Sequence, residues 1–168
     1  MAKFIAFGRE FATEREAVLG MMNSVQVAEA CAGVAIANWI KTCKIPELRG
    51  GLKIIAEREA FHGRVFQDRV RELGGECTTE LDPFSAAGER TLNDPGLSDL
   101  EKLTDVVKRG GDPETLLRPI LDFADSLVDD VESKEALRLY YQDEMSSATW
   151  LRNMCRKLTD EASVAQAA

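Results

Sequence analysis

AEREAFHGRVF, residues 56–66, is the stretch that decides the fold. Around Glu59, the residues Leu52, Ile55, Ala56 and Phe66 stand at i−7, i−4, i−3 and i+7, an apolar stripe of helical period. His62, the only histidine of the chain, stands at i+3 and so falls on the same face. Pro46, whose missing N–H suits a first helical turn, opens this helix, and Gly74-Gly75 ends it after Leu73. An acid and an imidazole therefore ride on the inward face of a long helix.

Working towards the N-terminus, Thr13 and Glu16 have capping-box spacing, which predicts a helix from there to about Thr42 or Lys44. The two helices form an antiparallel hairpin over about residues 12–74. Glu29 on the first helix has Met22, Val25, Ala32 and Ile36 at i−7, i−4, i+3 and i+7, so it points inward too. Val18 to Ile40 carries no charge but Glu29 and approaches the roughly 20 residues that span a bilayer. Asn23, Ser24, Gln26 and Asn38 interrupt it, and a mid-bilayer carboxylate is costly, so a helix in a protein core is expected and a membrane is not.

Towards the C-terminus, residues 75–111 read as a connection. Two Asp-Pro pairs and two glycines within 76–97 leave no sustained periodicity there. Ser98 with Glu101 opens a short helix to about Lys108, which Gly110-Gly111 stops. Asp112 and Pro113 then start a third long helix bearing Leu116, Leu117, Ile120, Phe123, Ala124, Leu127 and Val128, and a last helix follows over about 134–159. Residues 112–160 make the second helical pair, and 161–168 read as a frayed tail. No strand-period alternation of useful length is present. The expectation is a single all-α domain over 1–168, an antiparallel four-helix bundle with a short extra helix in the connection between the second and third. Gly50-Gly51, Gly74-Gly75 and Gly110-Gly111 read as helix ends, without the context of a phosphate-binding loop.

The formal charge of −8, from 21 Lys and Arg against 29 Asp and Glu, opposes a nucleic-acid binder, which needs a basic surface to displace counterions. Cys31, Cys43, Cys77 and Cys155 contain no C-x-x-C pair and read as reduced thiols. The first residues lack a long apolar run, so a cytoplasmic protein is expected.

A third acid joins Glu29 and Glu59. Glu144 lies on the last helix, with Leu137, Tyr140 and Tyr141 before it and Ser147, Ala148 and Leu151 after it. Three inward carboxylates must hold protons, pair with buried bases or bind a cation, because buried unpaired charge is expensive. The same stripes offer no arginine. Carboxylate oxygens and one imidazole nitrogen are a suitable donor set for a divalent metal.

The E-x-x-H of Glu59 to His62, with Glu29 thirty residues earlier, resembles the metal motif of the ferritin-like superfamily, rubrerythrins in particular. The resemblance covers residues 12–74. It implies a metal site of Glu29, Glu59, His62 and Glu144, occupied by iron, or by manganese or zinc, or by no metal if the site is a vestige. It also implies oxidoreductase, peroxide-scavenging or iron-handling activity. The second half departs from the family: Ser147 stands where the second E-x-x-H has its histidine, and no core glutamate marks the third helix, where Asp125 is a flanking candidate. At most four of six family ligands are present. Encapsulated ferritins, which complete their site across a dimer, suggest a homodimer or higher homo-oligomer with an inter-chain site. The competing expectation is a non-catalytic helical scaffold or interaction protein that has lost the di-iron site.

Overall fold

The computed structural model describes residues 4–6 and 8–167. The fold is all-α apart from one small hairpin. Among the described residues six helices follow it: α1 (Glu14–Thr42), α2 (Pro46–Glu72), α3 (Pro83–Asn93), α4 (Asp99–Gly110), α5 (Pro113–Ser126) and α6 (Val131–Ala167). The hairpin pairs β1 (Phe4–Ala6) with β2 (Arg9–Phe11), Phe4 opposite Phe11, and turns at Gly8, whose φ of 72° is one that a glycine adopts without strain. The absence of strands was the expectation. Three-residue strands are too short to show alternation, and this pair is held by packing on α1 and α5.

Local chemistry sets most helix starts. Thr13 and Ser98 each form a complete capping box, and Asp82 and Asp112 accept N–H groups of the turns they open. Asp82 and Pro83 thereby begin α3 inside the segment expected to be irregular, so the connection holds two short helices. At α6 the cap is Asp130, which accepts from the N–H of Ser133 at 2.9 Å, and the helix starts three residues before the expected Lys134. It also continues to Ala167, through the residues read as a tail.

Two apolar cores show how the helices run. Ala17 to Val25 of α1 meet Phe66 and Val70 of α2, Leu117 to Leu127 around α5, and Leu137 and Tyr140 of α6. Ala35 to Cys43 of α1 meet Leu48 to Ala56 of α2, Leu103 of α4 and Met154 of α6. Thus α2 runs antiparallel to α1, while α6 runs parallel to α1. Leu116 and Val128, expected on the core stripe, are 50% and 77% exposed, because α5 turns Leu117 and Ile120 inward and ends before Val128. Gly50 and Gly51 lie inside α2 and not at its end. Trp150 of α6 seats on Gly51, where a Cβ would come within 2.1 Å of the indole. Among the described residues α1 alone is long and apolar enough to cross a membrane, and half of its most apolar window is buried.

Candidate metal centre

Between the two apolar cores lies a polar layer. Its spacing is set by backbones in near contact: a Cβ on Gly63 would lie 3.0 Å from the Ala30 nitrogen, and one on Gly33 would lie 3.1 Å from the Ala60 nitrogen. These close approaches flank Glu29 and the Glu59–His62 turn in sequence, so α1 and α2 present their polar side chains to one small volume. Glu29, Glu59 and His62 are all buried, and α6 brings in Glu144 and the buried Tyr140.

The imidazole is the hub. Its Nδ1 lies 3.5 Å from Glu29 Oε2 and 3.4 Å from Glu144 Oε1, while its Nε2 meets Asp143 Oδ2 at 3.2 Å. The Tyr140 hydroxyl donates to Glu29 Oε1 at 2.9 Å, and its ring stands edge-on to His62 with centroids 5.0 Å apart. Glu29 Oε2, His62 Nδ1 and Glu144 Oε1 have no hydrogen-bond partner, although each is buried, and no other buried side-chain nitrogen or oxygen among the described residues shares that condition. Those same three residues offer ligand atoms that lie within 4.8 Å of one another. Two ligands each about 2.1 Å from a divalent ion at a tetrahedral angle stand about 3.4 Å apart, which suits the two nitrogen–oxygen separations. The carboxylate of Asp143 on the far ring nitrogen is the arrangement that fixes a metal-binding imidazole in one tautomer.

Without a cation the layer resolves its charge by holding protons. Burial pushes Glu29 up to about 8, assisted by the charge of Glu144 and opposed by hydrogen bonds from Glu59 and Tyr140. Burial likewise holds the Glu59 carboxyl well above the usual carboxylate range, with Glu29 and Glu144 adding repulsion, and a protonated Glu59 donates to Glu29. For His62, burial disfavours the cation, but the carboxylates of Glu144 and Asp143 outweigh it and the pKa rises. Burial and the Glu29 charge raise Tyr140, so its phenol stays protonated.

Of the four residues expected in the site, Glu29, His62 and Glu144 converge on one point, and Glu59 stands beside them as the proton-bearing partner of Glu29. Asp125 does not take part, since Arg138 holds it at 2.7 Å on the surface. Asp143, which sequence spacing does not place among the site residues, braces the imidazole. Its side chain is 45% exposed yet reaches across from α6 to α2. Arg58 lies close by but donates to Ser147 at 3.3 Å and leaves the carboxylates unmatched. Cys31 lines a cavity that Glu29 also borders. No family model, no curated protein and no solved structure matches the chain.

Proposed function

We propose that this chain is a ferritin-like metal-binding protein holding one divalent ion, iron by preference and manganese or zinc otherwise, on Glu29, His62 and Glu144. The observation that carries this reading is the meeting of three buried, unpartnered ligand atoms at metal-ligand separations. Glu59 completes the set once it loses its proton. On this reading the helices form a four-rod bundle in which α1, α2 and α6 are continuous and the third rod is broken into α4 and α5 at Gly110 to Asp112. The break also accounts for the missing third-helix glutamate, because the chain has no helix there to carry one.

A bound iron would supply one-electron redox chemistry next to Tyr140, and the protein's own groups would do the rest. Asp143 orients the imidazole, and Tyr140 steadies one oxygen of Glu29. The function proposed is oxidative or iron-handling chemistry at a single ion in each chain, with any second metal position supplied by another copy in a homo-oligomer. A metal-free scaffold is the second reading. It is favoured by one specific observation: Glu29 and Glu59 both hold protons readily, so the layer can be neutral without an ion.

Metal analysis separates the two. Protein loaded with ferrous iron without oxygen and then desalted retains about one ion per chain on the first reading, and His62→Ala abolishes retention while the helical circular dichroism persists. Unloaded wild-type protein after such treatment would establish the scaffold.

A further inference from the structure

Alongside the polar layer runs a cavity of about 300 Å³, large enough to receive a small organic ligand. It exists because the facing positions are small. Ala28, Ala32 and Ala35 repeat along one face of α1, and Ala148 of α6 stands across from them. Glu29, Glu59 and Glu144 bound it at one level, and elsewhere its walls are predominantly aliphatic and aromatic. Gly110 and Gly111, at the interruption between α4 and α5, also line it, beside Phe84 and Leu116, which are exposed.

Two guanidinium groups border this space. Arg109 is engaged by Asp105 and donates to Thr91 at 3.0 Å. Arg152 is different: it is half-buried, it lines the cavity, and it makes no ion pair or hydrogen bond among the described residues, although its charge reaches Asp112 at the α5 cap. Along α6 it lies eight residues, about 12 Å, from Glu144. Glu89 is the one exposed acid that also lines the cavity, and it extends from α3. A half-buried cation without a partner, at one end of an apolar cavity that reaches a cluster of acids, fits an amphipathic anion.

We propose that the cavity binds an unbranched aliphatic carboxylate of medium length, with its carboxylate on Arg152 and its chain lying along Ala35, Ala32 and Ala28 towards Glu29 and Glu144. As the substrate class of the metal centre, this inference rests on the function proposed above. As a bound ligand it does not, because neither Arg152 nor the alanines belong to the metal-ligating set.

The experiment is calorimetric titration of decanoate and decan-1-ol into metal-free protein, repeated after loading with manganese. Decanoate is expected to bind both forms about tenfold more tightly than decan-1-ol, the worth of one charge-assisted contact. Arg152→Gln should erase that preference without weakening decan-1-ol, and Arg156→Gln, on the exposed side of α6, should leave it intact. Ala32→Phe should abolish binding of both ligands, and the gentler Ala148→Leu should weaken both if the first variant fails to fold. Equal affinity for acid and alcohol, or a preference that survives Arg152→Gln, overturns the assignment of the carboxylate. No binding of either ligand to folded wild-type protein overturns the proposal altogether. Binding to metal-free protein that then fails to retain manganese sinks the metal reading alone and upholds the cavity.

Discussion

Two regions of this molecule bury carboxylates, and they treat them in opposite ways. At the end where α1 starts and α6 begins, Glu14 is 8% exposed and accepts three backbone N–H groups, from Val128, Asp129 and Asp130, at 2.7 to 3.0 Å. Beside it Arg69 reaches Asp130 at 2.8 Å and Ser133 at 3.0 Å, and despite some burial the Ser133 and Arg69 contacts hold the Asp130 carboxyl below its ordinary range. Glu14, Arg69 and Asp130 each have partners there. Halfway along the same helices, Glu29 and Glu59 are displaced upward for want of one. The chain can thus compensate a buried acid where the purpose is to join helices, and the layer at Glu29 is the place where compensation was left to something else.

The contrast can be broken most forcefully with pH. Glu29 rises from 4.5 unfolded to about 8 folded, and His62 rises as well, so the folded state binds more protons than the unfolded chain across that window. The stability these groups supply is complete below about pH 4.5 and is lost as the pH climbs towards 8, by several kcal/mol on the order of the pKa change. Urea unfolding of metal-free protein should show this fall. A divalent ion should reverse it, with an affinity that increases over the same range and a release of protons on binding that a weakly buffered titration records.

Substitution at the compensated end should come next in size. Glu14→Ala strands three backbone donors and is expected to cost about 3 kcal/mol in chemical denaturation, without altering metal retention. The matching change in the polar layer has the opposite sign. Glu29→Gln removes an acid that has no cation, and at pH 8 it should stabilise metal-free protein by about 1 kcal/mol while metal retention falls sharply. If Glu29→Gln instead destabilises as much as Glu14→Ala, the two regions are alike and the contrast fails.

Smaller effects sharpen the picture. Tyr140→Phe deletes the hydroxyl that bonds Glu29 and should cost about 1 kcal/mol, moving the onset of metal binding to higher pH as the Glu29 pKa climbs further. Asp125→Ala breaks an exposed pair with Arg138 and should change stability by less than about 0.5 kcal/mol, with metal retention equal to wild type.

How far these features can be read from sequence depends on how local their causes are. The starts of α1, α2 and α4 are legible because a capping box or a first-turn proline acts within four residues. The start of α3 carries the same signature in Asp82-Pro83, but only Leu92 of its eleven residues is buried, so no apolar stripe distinguishes it from a loop. The strand pair depends on Phe4 and Phe11 packing into a core shared with α1 and α5, the second of which lies about a hundred residues away in the chain. For the polar layer, helical spacing was enough to aim Glu29, Glu59, His62 and Glu144 inward. It could not assign Asp143, whose role depends on how closely α6 approaches α2 at His62, a distance that no single helix encodes. The vacancy beside the layer was invisible for a similar reason, since it is the sum of small residues on separate helices.

The solitary imidazole has a practical consequence. A chain with one histidine gives one set of ring resonances, so long-range proton–nitrogen spectra of uniformly labelled protein need no assignment. The two nitrogens look in different directions, Nε2 towards Asp143 and Nδ1 towards Glu29 and Glu144. Their two chemical shifts therefore report separately on the brace and on the interior, and a diamagnetic ion such as zinc would move the Nδ1 signal while the Nε2–H remained bonded to Asp143. Few buried clusters offer so direct a window on the tautomer at their centre.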